Sequence, residues 1–183
     1  METFDHRSFA SRLESAVREA FQELAQAHPG EQLCAFALYS DSCGQTVCPS
    51  TNTRSHLLRR VTAEPDEAAY YQFGPAEWAL EGRGATDRFS ELCSELLNHP
   101  ITNGDDEDLH ERFIAELGET CISTLERLRA EGFFVRVAGG PVTVLFQATP
   151  GDEEVETERA TIARLNEPDV VEVHREWTES WGT

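Results

Sequence analysis

The stretch from Leu33 to Thr53, LCAFALYSDSCGQTVCPSTNT, constrains the fold more than any other part of the chain. Leu33, Ala35, Ala37 and Tyr39 alternate with Cys34, Phe36 and Leu38, so an extended strand here is apolar on both faces. Such a strand needs cover on both sides, which places it at the centre of a sheet. Asp41, Ser42 and Gly44 supply turn chemistry, and Gln45 to Cys48 read as a short return strand. Pro49 is expected to end the pairing, because it removes a backbone donor.

Amphipathic helices are the natural cover, and the flanking sequence supplies them. From about Asp5 to Ala27 the residues Phe9, Leu13, Val17, Ala20, Phe21 and Leu24 recur at three or four positions, which puts them on one helical face. Pro29 and Gly30 close that segment. Thr53 can cap a short helix carrying Leu57, Leu58 and Val61, which runs until Glu64 and Pro65. Tyr70 to Phe73 read as extended, and Pro75 suits the first position of a fresh helix. In that helix Glu77 complements the dipole and Trp78 points inward. Phe89, Leu92, Cys93, Leu96 and Leu97 predict a further helix that stops before His99 and Pro100.

The acidic run in NGDDEDL, from Asn103, lacks the alternating oxygens and distant Glu of a calcium loop. It reads instead as the N-terminus of a long helix with Ile114, Leu117, Cys121, Leu125 and Leu128 on one stripe, ending at Gly132. Phe133 to Ala138, a turn at Gly139, Gly140 and Pro141, and Val142 to Ala148 predict a second hairpin. Acidic residues from Asp152 open a helix reaching Leu165. A last one starts at Pro168 with the stripe Val170, Val173, Trp177 and Trp181. The expected architecture is therefore α+β: a four-stranded, mainly antiparallel sheet built from two hairpins, with amphipathic helices packed on it.

A chain of 183 residues that is 39% hydrophobic has room for one sizeable core, so residues 1–183 are read as one domain. Fifteen basic residues, all of them Arg, face 34 acidic ones, for a net charge of −19. That balance disfavours nucleic acid and anionic membrane as ligands and makes a basic protein the easier partner. The N-terminal METFDHRSFASRL has no apolar run behind a basic patch, and no stretch is long enough to cross a bilayer. A cytoplasmic setting is expected. Five cysteines (Cys34, Cys43, Cys48, Cys93 and Cys121) are an odd number, which favours reduced thiols over a disulfide framework.

No phosphate loop, dinucleotide fingerprint or nucleophile elbow is present in the sequence, and His110 and Glu111 are followed by Ile114 where a zinc protease motif needs its second histidine. Cys43, Cys48 and His56 lack a fourth ligand at zinc-site spacing. Cys48 with His56 or His99 could form a nucleophile and base, without a motif to support it. No metal or cofactor is expected. The candidate binding residues are Tyr39, Asp41 and Asn52 from the first hairpin and its exit, with Tyr70, Tyr71, Glu77 and Trp78 from the aromatic segment. Each also has a plain structural use, as cap, dipole partner or core aromatic.

The strand ending in Tyr39 and Asp41, the Pro49 to Thr53 exit, the Pro75-Ala76-Glu77-Trp78 start and the stretch from Asn166 to Val171 together resemble a bacterial family known as domain of unknown function 4303. The resemblance covers nearly the whole chain. It implies a stand-alone domain without an assigned activity. Small acidic bacterial domains of this build also resemble immunity or antitoxin-type proteins that mask a toxin, an analogy of build and charge. Two expectations follow. The first is an acidic protein-binding domain, immunity-like, that masks or regulates a basic partner protein. The alternative is a small-ligand-binding domain or enzyme using the 41–52 loop and the 70–78 segment.

Overall fold

The computed structural model of the chain describes residues 4–148 and 155–180. Helix α1 (His6–Ala27) begins where the Asp5 carboxylate accepts the Ser8 N–H at 3.0 Å. Its buried face is Phe9, Leu13, Ala16, Val17, Ala20, Phe21 and Leu24, the stripe expected from spacing. Strands β1 (Leu33–Ser40) and β2 (Val47–Thr53) form the expected hairpin, and β3 (Thr143–Ala148) pairs on the other side of β1. The sheet has three strands in the order β2-β1-β3. The first hairpin is antiparallel, whereas β3 runs parallel to β1.

Helix α2 (Arg54–Ala63) is capped by Thr53, whose hydroxyl accepts the His56 N–H at 3.2 Å. It is followed by α3 (Ala68–Phe73), α4 (Thr86–Asn98) and α5 (Glu107–Ala130). Asp106 caps α5 through the Leu109 N–H. Then come α6 (Phe133–Ala138), α7 (Val155–Leu165) and α8 (Pro168–Glu179).

The two faces of β1 carry different side chains and so meet different layers. Phe36 and Leu38, with Val144 from β3, join the larger core formed with α1, α4, α5 and α6. Ala35 and Ala37 face the opposite way, where their small size lets Phe73 and Trp78 approach, with Leu145 and Ile162 alongside. Gly118 in the middle of α5 lies where the helix passes β3. A Cβ there would lie 3.5 Å from the Phe146 ring, an ordinary packing distance, so α5 and β3 meet closely here but a small side chain would still fit.

The structure corrects the expected four-stranded sheet to three strands, because residues 133–138 are helical. Consecutive strand residues would send Phe133 and Phe134 to opposite faces. A helical turn between Gly132 and Gly139, both at positive φ, lets both rings bury in the same core. Phe134 lies 5.2 Å from Phe21 and 5.3 Å from Phe36, centroid to centroid. With that strand gone, the chain passes from the first hairpin to β3 through α2 to α6. A parallel pairing needs such a long crossover.

Other elements differ locally. Tyr70 to Phe73 form α3, and Pro75 starts only a 3₁₀ turn, Pro75–Glu77, after which Trp78 is extended. Pro49 does not end β2, which continues to Thr53. The backbone groups of Val47, Pro49 and Thr51 point to the outer edge of the sheet, where no strand requires the missing proline N–H. On α8 the stripe is rotated from its expected place. Val173 is 41% exposed, whereas His174 and Thr178 are buried and Val170, Val171 and Trp177 pack against the smaller core. Trp181 and the acids at 152–154 lie outside the described residues.

Candidate functional site

Five of the seven candidate residues come together beside α2. Asn52 is buried at the end of β2, and its Oδ1 accepts the N–H of Thr53 at 3.0 Å and of Ala79 at 3.4 Å. Trp78 is 4% exposed and donates its indole N–H to the Tyr71 carbonyl at 3.2 Å. The Arg60 guanidinium lies 4.2 Å from the Tyr71 ring centroid and also donates to Glu77 at 3.3 Å. Tyr70 donates its hydroxyl to the other Glu77 oxygen at 3.2 Å. His56 Nε2 lies 3.1 Å from the Glu77 carbonyl oxygen. Both carboxylate oxygens of Glu77 are thus engaged by neighbours. The knot holds the 3₁₀ turn against α2.

Tyr39 and Asp41 sit at the opposite end of the hairpin. Tyr39 donates to Glu81 at 2.7 Å, and burial followed by that carboxylate raises its phenol above the ordinary range. Asp41 organises the turn. Its Oδ1 accepts the N–H groups of Cys43 at 2.8 Å and Gln45 at 3.1 Å, and its Oδ2 accepts the Thr46 hydroxyl. Burial alone would raise the Asp41 carboxyl, but the hydrogen bonds from Thr46, Gln45 and Cys43 outweigh it and hold it low. This is the self-bonded turn that Asp favours. His110 of α5 adds a 2.8 Å contact to the Cys43 carbonyl, tying the turn to the helix.

Among the described residues, three of the concavities around this frame bear on binding. One, of about 510 Å³, opens at the starts of β1 and β3 and is walled by Leu57, Phe134, Val142 and Val170 with Arg54 and Gln72. Another, of about 400 Å³, lies between α5 and α7 where β1 and β3 end, and Asp41 and Arg164 line it. The third is a recess of about 510 Å³ between α1 and the start of α4, lined by Glu19, Glu23, Asp87, Glu91 and Arg88. Glu23 there accepts the Ala85 N–H at 2.8 Å, and Arg88 donates to Glu19 at 3.2 Å. Among the described residues no group of three or more His, Cys, Asp or Glu could hold a metal ion. None of the described helices is long and apolar enough to cross a membrane.

The profile of one protein family, a domain of unknown function, matches residues 13–167. The chain belongs to the DUF4303 family. No curated protein and no solved structure matches it at a significant level. The segments that carried the resemblance have identifiable jobs in this DUF4303 fold. Pro75 to Trp78 lock α2 to the sheet, and Asn166 closes the edge of β3 by accepting the Val144 N–H at 2.8 Å and donating to the Val144 carbonyl at 2.7 Å.

Sequence reasoning did not single out the residues of the acidic recess or Arg54. Glu19 and Glu23 belong to the polar face of α1, and Asp87 and Glu91 to that of α4. Only the packing of α1 on α4 makes them neighbours. Arg54, the first residue of α2, has no carboxylate partner among the described residues, a property that no local pattern announces.

Proposed function

We propose that this DUF4303 chain is a cytoplasmic binding protein that takes a basic region of a partner protein onto its acidic face, masking or regulating that partner in the manner of an immunity protein. The observation that carries this reading is the recess between α1 and α4, where four carboxylates meet one guanidinium. Its surroundings sharpen the contrast. Nine arginines (12, 18, 60, 88, 127, 129, 159, 164 and 175) are committed to carboxylates within the chain. Internal pairing therefore uses up much of the positive charge, and the surplus of a chain at −19 is left to surface acids. A concave, carboxylate-lined wall suits an inserted Arg or Lys, and the surrounding field speeds encounter with a basic surface.

The test is affinity capture from the native host at low and at physiological salt, followed by identification of what is retained. A basic protein held at low salt and captured more slowly at physiological salt is the expected result. A reproducible turnover abolished by changing Asp41 or Glu77 would overturn it. A second reading, small-ligand binding, has its own observation in the apolar-walled cavity bearing Arg54. This is a different place from the one expected for that alternative, since no residue of the 41–52 loop and only Gln72 of the 70–78 segment line the cavity. Thermal stabilisation by a small organic acid, lost in Arg54→Ala, would favour it.

A further inference from the structure

The outer edge of β2 is met at Val47 by a thiol. Cys93 of α4 lies 3.4 Å from both the N–H and the carbonyl of Val47, accepting from one and donating to the other. The next residue along the strand is Cys48, so the Cys93 sulfur sits against the backbone that carries the Cys48 thiol. Both are half-buried, so small oxidants can reach them, whereas Cys34 and Cys121 are buried. Cys43 is exposed, with Ser42 Oγ at 4.0 Å from its sulfur. Two thiols from distant parts of the chain, brought side by side along β2 and within reach of solvent, make a pair that oxidation can join.

We propose that Cys48 and Cys93 form an oxidisable dithiol, which hydroperoxides convert to a disulfide stapling α4 to the edge of β2. Cys93 is the attacking sulfur. The neighbouring Cys48 thiol lowers its thiol, burial opposes this, and the Val47 N–H adds to the lowering. Cys48 is shifted the other way, by sharing its proton with Cys93 and by burial, and it keeps its proton until the second step. The other ionisable groups acting on the pair are Tyr39 on β1, Glu81 in the segment beside β2, and Asp41 in the turn.

The chemistry balances with hydrogen peroxide, the simplest hydroperoxide, as oxidant. The Cys93 thiolate attacks one peroxide oxygen, the O–O bond breaks, and hydroxide leaves and takes up a proton as water. The sulfenic acid formed on Cys93 is then attacked by the Cys48 sulfur, the S–O bond breaks, and a second water leaves with the Cys48 proton. Two sulfurs lose two electrons in all, and the peroxide gains them. With the Cys93 sulfur already 3.4 Å from the Val47 carbonyl, rotation of the two side chains is what brings the sulfurs to a bond of about 2.05 Å.

The experiment is brief exposure of the freshly reduced, desalted full chain to hydrogen peroxide, followed by alkylation and peptide mapping. The expected product is a Cys48–Cys93 linked peptide with the mass loss of two hydrogens. The number of alkylatable thiols should fall from five to three and be restored by dithiothreitol. Cys93→Ser should abolish the link, and Cys48→Ser should leave a sulfenic acid on Cys93 that dimedone captures. A different pairing, or oxidation of Cys43 while Cys48 and Cys93 remain alkylatable, would overturn the proposal. The map of the unaltered chain decides this alone should either variant fail to fold.

Discussion

Along β2 the outward-facing backbone groups are met one after another: Val47 by the Cys93 thiol, Pro49 by the Gly82 N–H at 2.9 Å and Thr51 by the Leu80 N–H at 3.0 Å. Along β3 a single side chain, Asn166, covers Val144 on both its N–H and its carbonyl. Unpaired strand edges invite pairing with other chains, and a sheet of only three strands has two of them close to its centre. Coverage of β2 is spread over a length of backbone, so no one contact there decides it. Coverage at Val144 is concentrated in one amide, so one substitution removes it.

The largest expected effect is at the anchor of the segment beside β2. Trp78→Ala should cost on the order of 3–5 kcal/mol in chemical denaturation, because it deletes a large buried aromatic and frees the start of that segment. A loss below about 1 kcal/mol, the range of surface substitutions, would mean that β2 is covered without it. Asn166→Ala should follow, at about 1–3 kcal/mol for each backbone group of Val144 left without a partner. Hydrogen exchange at the Val144 amide should rise more than at β2 amides. Equal acceleration on both edges would remove the distinction between concentrated and distributed coverage.

A smaller effect belongs to the ion pairs that hold α7, and with it Asn166, against α5. Arg164 donates to Glu119 and Glu126 at 2.8 Å, and the Arg164 hydrogen bonds followed by Ser123 hold the Glu119 carboxyl down at about 2. A depressed carboxyl contributes stability that is present above its unfolded value of about 4.3 and is lost as pH falls through that value towards the folded one. Stability should therefore fall between about pH 5 and 2, with part of that slope missing in Glu119→Gln. Because Glu119 is largely exposed, the difference should be slight. An unchanged slope would free α7 from this dependence.

The features legible in the sequence were those that local pattern determines. The α1 stripe from Phe9 to Leu24, the Thr53 cap and the two-faced strand at Leu33 to Tyr39 each follow from spacing or from one residue's chemistry. Residues 133–138 were not legible as a helix, because Phe-Phe-Val-Arg-Val favours strand. Only the shared core with Phe21 and Phe36 reverses that preference. Tyr70 to Trp78 were legible as a unit but not in conformation, since Arg60 and Asn52, which hold them, come from earlier in the chain. The contact of Cys93 with the Val47 backbone, beside Cys48, joins β2 to α4 across a long intervening stretch and leaves no periodic trace.

The proposed masking of a basic partner depends on the place of the negative charge as well as its amount. The most direct measurement is the association rate of the isolated basic partner with two variants of matched charge: Glu19→Gln with Asp87→Asn and Glu91→Gln in the recess, and Asp105→Asn with Glu107→Gln and Asp108→Asn at the start of α5. Recess neutralisation should slow association several-fold at low salt and speed dissociation, while the α5 variant should stay close to the unaltered chain in dissociation. Equal effects of the two variants on both rates, or association that does not respond to salt, would contradict it.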